Sequence, residues 1–249
     1  MLRKKLAVLV AAALMSLTAS SAFAAFADLE LIRINYDRAG NEYATDLGNI
    51  NTILTNGLTN AGTGTFAGAT LVSYFALDRA TNQLWVSGVN AATATFTPAI
   101  IGGSTGLTSI KSGTTFMYNT YNSVATNGGT SYAGLASNPN SYKAKLSATQ
   151  GWFGNTITAA NSARTFSEIS MATLATNNTQ SLWYFADGLT TVAANKLGVA
   201  VASIVTNADG STTISSNAPV TTTPIPAAFY LMGSGLMGLV GLRRRNKVA

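Results

Sequence analysis

The sequence predicts a mainly β protein: an antiparallel β-sandwich or jelly-roll-like body with few short helices, a signal helix before it and a single transmembrane helix after it. Three observations predict this. Short segments alternate apolar and polar residues with a period of two. Clusters of Gly, Asn and Asp punctuate those segments. Long uncharged apolar runs stand at the two ends of the chain.

Residues 1–24 have the three parts of a secretory signal peptide. Arg3, Lys4 and Lys5 precede an apolar run from Leu6 to Leu17, which is too short to span a hydrocarbon core of about 30 Å. Small residues then end in Ala22-Phe23-Ala24, which fits cleavage by signal peptidase before Ala25; Ala25-Phe26-Ala27 repeats the pattern and offers a second register.

The body, residues 25–214, reads as strands and turns. Leu29 to Asp37 alternates, turns at Arg38-Ala39-Gly40-Asn41 and resumes at Glu42-Tyr43-Ala44-Thr45. Leu71 to Leu77 does the same around Asp78-Arg79-Ala80-Thr81-Asn82, with Gln83 to Val86 as the return strand. A third hairpin is predicted from Leu182 to Ala186, turning at Asp187-Gly188 and continuing through Thr191. A fourth pairs Leu197 to Thr206 with Ser211 to Ser215 across Asn207-Ala208-Asp209-Gly210. Asp and Asn suit such turns because they bond their own backbone and tolerate left-handed geometry. Helical signals are thinner: Thr165-Phe166-Ser167-Glu168 fits a capping box ahead of Ile169 and Leu174, and Phe116 to Val124 fits a short helix or a strand. Gly102-Gly103-Ser104, Asn127-Gly128-Gly129 and Asn138-Pro139-Asn140 mark loops.

Residues 215–223 (SSNAPVTTT) have no apolar periodicity and read as a stalk. Beyond them, Ile225 to Leu242 is a run of 18 residues without a charge, about 27 Å as a helix. A basic stop of Arg243, Arg244, Arg245 and Lys247 follows, which the positive-inside rule keeps in the cytoplasm. Pro224 and Pro226 fix φ near −65° and remove two backbone donors, holding the chain extended where it meets the membrane.

Composition excludes much chemistry. The 249 residues include no Cys and no His, so Ser-His-Asp triads, Cys nucleophiles, Cys/His zinc sites, haem ligation by these residues and disulfides are all absent, and no metal or cofactor is expected. The net charge of +6 is concentrated at the ends. Seven of the 15 basic residues lie in the terminal segments, leaving eight against nine acidic residues between them. A nearly neutral body offers no patch for nucleic acid.

The order Thr223-Pro224-Ile225-Pro226-Ala227, apolar run, arginine cluster resembles the PEP-CTERM sorting signal in its VPLPA-type variant, with Ile225 in place of the parent pattern's Glu and Thr223 in place of Val. The resemblance covers about 27 residues at the C-terminus: Thr223 and the tag, residues 224–249, with the membrane segment at 225–242 and the tail at 243–249. It implies that an exosortase-type membrane protease recognises and cleaves the tag. It further implies a Gram-negative bacterium whose tagged protein is associated with exopolysaccharide at the cell surface or in the extracellular matrix, transiently anchored in the inner membrane before processing.

Three roles for the body follow. The leading one is a non-enzymatic structural protein of surface or matrix. The second is a carbohydrate-binding or adhesin module, for which Trp85, Trp152 and Trp183 are the candidate rings to stack on sugars if they are exposed on one face. The third is a carboxylate-based glycoside hydrolase, since paired carboxylates about 5 to 10 Å apart are the acid/base device that remains. Asp37, Glu42, Asp46 and Asp78 are the candidates, of which Asp37 and Asp78 occupy turn positions. The loop Asn207-Ala208-Asp209-Gly210 has one carboxylate and reads as a turn rather than a calcium loop.

Overall fold

The computed structural model describes residues 26–37, 40–60, 71–94, 97–100, 105–125, 130–146, 157–158, 167–176, 179–190, 197–207 and 209–217. All of these belong to the first of the two units into which the chain divides, Met1–Asn217. The residues read as a signal segment, most of those read as a stalk and all of those read as a sorting tag lie outside the described residues. Among the described residues no helix is long and apolar enough to cross a membrane.

Among the described residues twelve strands and four helices follow one another. In chain order they are β1 (Glu30–Tyr36), β2 (Asn41–Asn49), α1 (Ile50–Asn56), β3 (Leu58–Asn60), β4 (Leu71–Asp78), β5 (Gln83–Gly88), β6 (Ala99–Ile100) and α2 (Thr105–Val124). Then come β7 (Ser131–Leu135), α3 (Tyr142–Lys145), β8 (Ile157–Thr158), β9 (Ile169–Ser170), α4 (Met171–Thr176), β10 (Thr179–Phe185), β11 (Val199–Thr206) and β12 (Thr212–Ser216). The main sheet is antiparallel in the order β3-β12-β11-β10-β5-β4-β1-β2-β7, with β9 added to β4; β6 and β8 form a separate pair.

This sheet folds over on itself. Five strand spacings separate β1 from β12, about 24 Å on a flat sheet. Yet Arg33 Nη1 on β1 donates to Thr212 Oγ1 on β12 at 2.9 Å, and Tyr74 on β4 bonds Thr206 of β11 at 2.7 Å. The facing layers expected of a sandwich are therefore supplied by one curled sheet. Helix α1 runs from the end of β2 to β3 and buries Ile50 and Ile53 in the interior. Asn49 caps it by accepting the Asn51 N–H, and Gly57 ends it at φ 73°, donating to the Ile53 carbonyl at 2.8 Å.

Both faces of the sheet are buried. Leu31, Val72, Tyr74, Trp85, Leu182, Ile204 and Ile214 fill the inside of the curl. Ile32, Ile34, Phe75, Leu77, Leu84, Val86, Trp183 and Phe185 point outward and are covered by Ile110, Met117, Tyr118 and Tyr121 of α2. Those helical residues stand at i, i+7, i+8 and i+11, one side of a 3.6-residue helix.

The β1–β2, β4–β5 and β11–β12 hairpins form as predicted. At the β4–β5 turn Asp78 Oδ1 accepts the Ala80 and Thr81 N–H groups, and Asn82 adopts φ 61°. The predicted third hairpin does not form at Asp187-Gly188. Residues 186–190 turn back on themselves, with Thr190 N–H donating to the Asp187 carbonyl, and β10 pairs instead with β5 and β11. The helix read at Phe116 to Val124 is 20 residues long and begins at Thr105. The capping box read at Thr165 to Glu168 is displaced: Ile169–Ser170 is a strand, and the Ser170 hydroxyl accepts the Thr173 N–H at the start of α4.

Candidate functional site

The outer face beneath α2 gathers the buried acids. Glu42, on β2, is fully buried. Its Oε1 accepts the Tyr121 hydroxyl and the Tyr142 N–H at 2.8 Å, and its Oε2 accepts the Lys143 N–H at 3.0 Å. It thereby holds the first turn of α3, whose N-terminal amides have no helical acceptor. Burial pushes its carboxyl above the ordinary range despite the lowering effect of Tyr121 and the two amides.

Glu168 is the second buried acid. It accepts the Tyr36 hydroxyl at 2.8 Å and the Tyr142 hydroxyl at 3.2 Å. Tyr142 thus links the two acids, offering its N–H to Glu42 and its phenol to Glu168. Its ring packs against Tyr36 at 5.5 Å and Phe75 at 5.9 Å, while Tyr121 stacks on Tyr132 at 4.0 Å. The network ties α2, α3 and the segment before β9 to the sheet, and neither carboxylate faces solvent.

A third group lies where β1 and β2 change register between Glu30 and Ile32. Glu30, whose carboxyl is raised by burial, has Asn49 and Asp46 as its polar neighbours. Asp46 Oδ1 also accepts the Gly48 N–H at 2.8 Å, and Gly48 takes φ 103°, a conformation that favours glycine. Desolvation pushes Asp46 up to about 7, and the neighbouring Glu30 reinforces it. At the β4–β5 turn Arg79 Nε meets Asp28 Oδ1 at 2.7 Å and the Arg79 guanidinium lies 5.6 Å over the Tyr118 ring.

Inside the curl the buried ion is a cation. Arg33 donates to the Gly210 carbonyl at 2.5 Å, to Thr212 Oγ1 at 2.9 Å and to Thr45 Oγ1 at 3.4 Å. At the rim, α1, β3 and the end of β12 line a groove of 410 Å³ with Thr55, Asn56, Thr59, Thr213, Ser215 and Ser216.

These placements revise several sequence readings. Trp85 and Trp183 are each 4% exposed and sit on opposite faces of the sheet, so the two rings form no shared stacking platform. The polar tip of Trp183 donates to the Val89 carbonyl, and Trp85 packs on Tyr184 at 5.1 Å. Trp152 lies outside the described residues, as do Ala22, Ala24, Ala25, Thr223 to Ala227, Arg243 to Arg245 and Lys247.

Among the candidate acids, Glu42 and Asp46 share a face but stand four residues apart, about 13 Å along a strand, too far for a hydrolytic pair. Asp46 has Glu30 as its acidic neighbour at the irregular β1–β2 pairing. Asp78 and Asp209 serve their turns, Asp209 accepting the Ser211 N–H at 2.9 Å. Sequence reasoning missed Glu30, Glu168, Arg33 and the tyrosines that answer them. The available signal was Glu30, Ile32, Ile34 and Tyr36 alternating with Leu31, Arg33 and Asn35, a strand with charge on both sides. Comparison with protein-family profiles, curated proteins and solved structures finds no match to this chain.

Proposed function

We propose that this chain is an exported, non-catalytic structural protein of a bacterial cell surface or exopolysaccharide matrix. Signal peptidase removes residues 1–24, a helix over 225–242 anchors the protein for a time in the inner membrane, and an exosortase-type protease acts at the Pro-x-Pro motif. The observation that carries this reading is the ordered tag: Pro224-Ile225-Pro226, 18 uncharged residues and Arg243-Arg244-Arg245. A plain anchor has no need of two donor-less residues beside the bilayer. The body supports a passive role, because its buried ions hold elements together and its curled, sandwich-like sheet needs no disulfide.

Intact mass of the protein recovered from the producing cell's surface tests this. The expected chain begins at Ala25 or Asp28 and ends near Pro224 to Ala227. Recovery of the Arg243 to Ala249 tail on the surface protein, or unchanged processing after Pro224→Ala with Pro226→Ala, overturns it.

The rim groove supports carbohydrate binding as a second reading, since its hydroxyls and amides suit a polyol without aromatic stacking. A glycan array that detects binding, abolished by Asn56→Ala with Thr213→Ala, would favour that reading.

A further inference from the structure

The two Ala-x-Ala registers before the body differ by three residues, and the fold treats those residues unequally. A cut after Ala24 keeps Ala25, Phe26 and Ala27, whereas a cut after Ala27 discards them. Phe26 is 1% exposed and belongs to the apolar cluster on the outer face of the sheet. Its ring meets that of Tyr121 edge to face, with centroids 5.1 Å apart and planes at 77°. The backbone is gripped as well. The Phe26 N–H donates to Asn122 Oδ1 at 3.1 Å, and Asn122 Nδ2 donates to the Phe26 carbonyl at 3.0 Å, so one side-chain amide answers both main-chain groups of a residue 96 positions earlier. An apolar residue near a chain end can bury itself on any greasy surface; the paired main-chain bonds fix this one in place. Ala27 adds its carbonyl, which accepts the Glu30 N–H at 3.3 Å as the chain enters β1. On the other side of the contact, Tyr121 also stacks on Tyr132 and donates to Glu42, so Phe26 packs on the side chain that joins α2 to the Glu42 network.

We propose that the signal segment is cut before Ala25 and not before Asp28, and that the N-terminus so made is a latch, with Phe26 seated on Tyr121 and Asn122 to hold α2 over the sheet. The inference rests on the reading of residues 1–24 as a signal peptide. Hydrolysis adds one water across the Ala24–Ala25 amide; the new carboxylate leaves on Ala24 with the released segment, and the new α-ammonium stays on Ala25. A cut in the later register would break the Ala27–Asp28 amide instead. It would carry away a fully buried ring, both groups that the Asn122 amide holds and the carbonyl that accepts the Glu30 N–H. The sequence permits either cut; the fold uses the product of the first.

N-terminal sequencing of the protein recovered from the producing cell tests the cut. The expected first residues are Ala25, Phe26, Ala27 and Asp28. A chain that begins at Asp28 overturns the latch and leaves signal removal standing, whereas retention of residues 1–24 overturns the signal reading and the latch with it. Thermal melts of the same exported protein test the docking. Phe26→Ala should lower the unfolding temperature by about 6 to 20 °C, the consequence of emptying a buried aromatic site in a domain of this size. Asn122→Ala should lower it by less, since it leaves the ring in place and removes the two main-chain bonds. If Phe26→Ala does not accumulate, Phe26→Leu keeps most of the apolar volume and should still melt a few degrees below wild type. Phe26→Ala, Phe26→Leu or Asn122→Ala melting together with wild type would overturn the latch.

Discussion

The two faces of the curled sheet bury opposite charge. Inside, a guanidinium is held by a carbonyl and two threonine hydroxyls; outside, two carboxylates are held mainly by tyrosine hydroxyls and helix amides. One strand bears on both faces, because Arg33 points inward and its neighbours Ile32 and Ile34 point outward. Each ion reaches an element distant in sequence: Arg33 reaches the β11–β12 turn, 177 residues away, and Glu42 reaches α3, about 100 residues away. The comparison teaches that buried charge serves as long-range attachment here. Apolar residues supply the driving force, and the ions fix which segment closes over which face.

The largest expected effects come from cutting those attachments. Arg33→Met should lower stability by about 3 kcal/mol or more, since it strips charged donors from the Gly210 carbonyl and Thr212 while the site stays buried. Glu42→Ala should cost about 3 to 5 kcal/mol, because Tyr121 and the Tyr142 and Lys143 amides all lose their acceptor. Glu42→Gln should cost only about 1 to 2 kcal/mol, as one carbonyl oxygen can still serve two of the three donors. Urea unfolding of the three variants measures this. Equal losses for Glu42→Gln and Glu42→Ala would break the comparison, showing that the acid's charge matters and its hydrogen-bond geometry does not.

A second effect follows from the titration of the outer face. Asp46 titrates near 7 in the fold against 3.8 in the unfolded chain. Between those values the folded chain keeps a proton that the unfolded chain has lost, so this group's contribution to stability falls as pH rises from about 4 to 7. Partial exposure limits the fall to no more than about 4 kcal/mol. Glu42, raised by burial, acts in the same direction. Asp46→Asn should flatten the slope of stability against pH over that interval; an unchanged slope would show that Asp46 does not carry it.

Much of the outline was legible in the sequence, and the reasons are local. Hairpins depend on a period of two and on turn residues, so Asp78 to Asn82 and Asn207 to Gly210 announced themselves. Helix α2 showed only as an ambiguous reading over Phe116 to Val124, because Gly106, Thr108, Ser112, Gly113, Thr114, Thr115, Asn119, Thr120 and Asn122 are poor helix formers; packing of Ile110, Met117, Tyr118 and Tyr121 on the sheet makes it a helix. The buried ions were hidden for a related reason. When both faces of a strand are covered, alternation no longer separates inside from outside, and Arg33 or Glu42 looks like an ordinary surface residue until its distant partner is placed. The tryptophans misled in the same way: adjacent aromatics such as Trp183, Tyr184 and Phe185 suggest an exposed member only where one face meets water.

The smallest expected effect lies at a turn outside both faces and has the opposite pH sign. Asp78 accepts the Ala80 and Thr81 N–H groups and the Thr81 hydroxyl, the last at 2.6 Å, and these hold its carboxyl below the usual range, the Thr81 hydroxyl most of all. Its folded value lies below its unfolded one, so its contribution is present above the unfolded pKa and lost as pH falls through the folded value. Asp78→Ala should cost about 0.5 to 1.5 kcal/mol at neutral pH, the range for a lost turn acceptor in water-accessible surroundings. As the pH falls through the folded pKa the cost should shrink, because protonation removes the carboxylate that the turn's donors favour. Paired thermal melts of Asp78→Ala and wild type at pH 7 and pH 2.5 measure the difference. A cost that grows on acidification would mean that the turn depends on the protonated acid, as Asp46 does, and the opposite signs argued for the two carboxylates would fail.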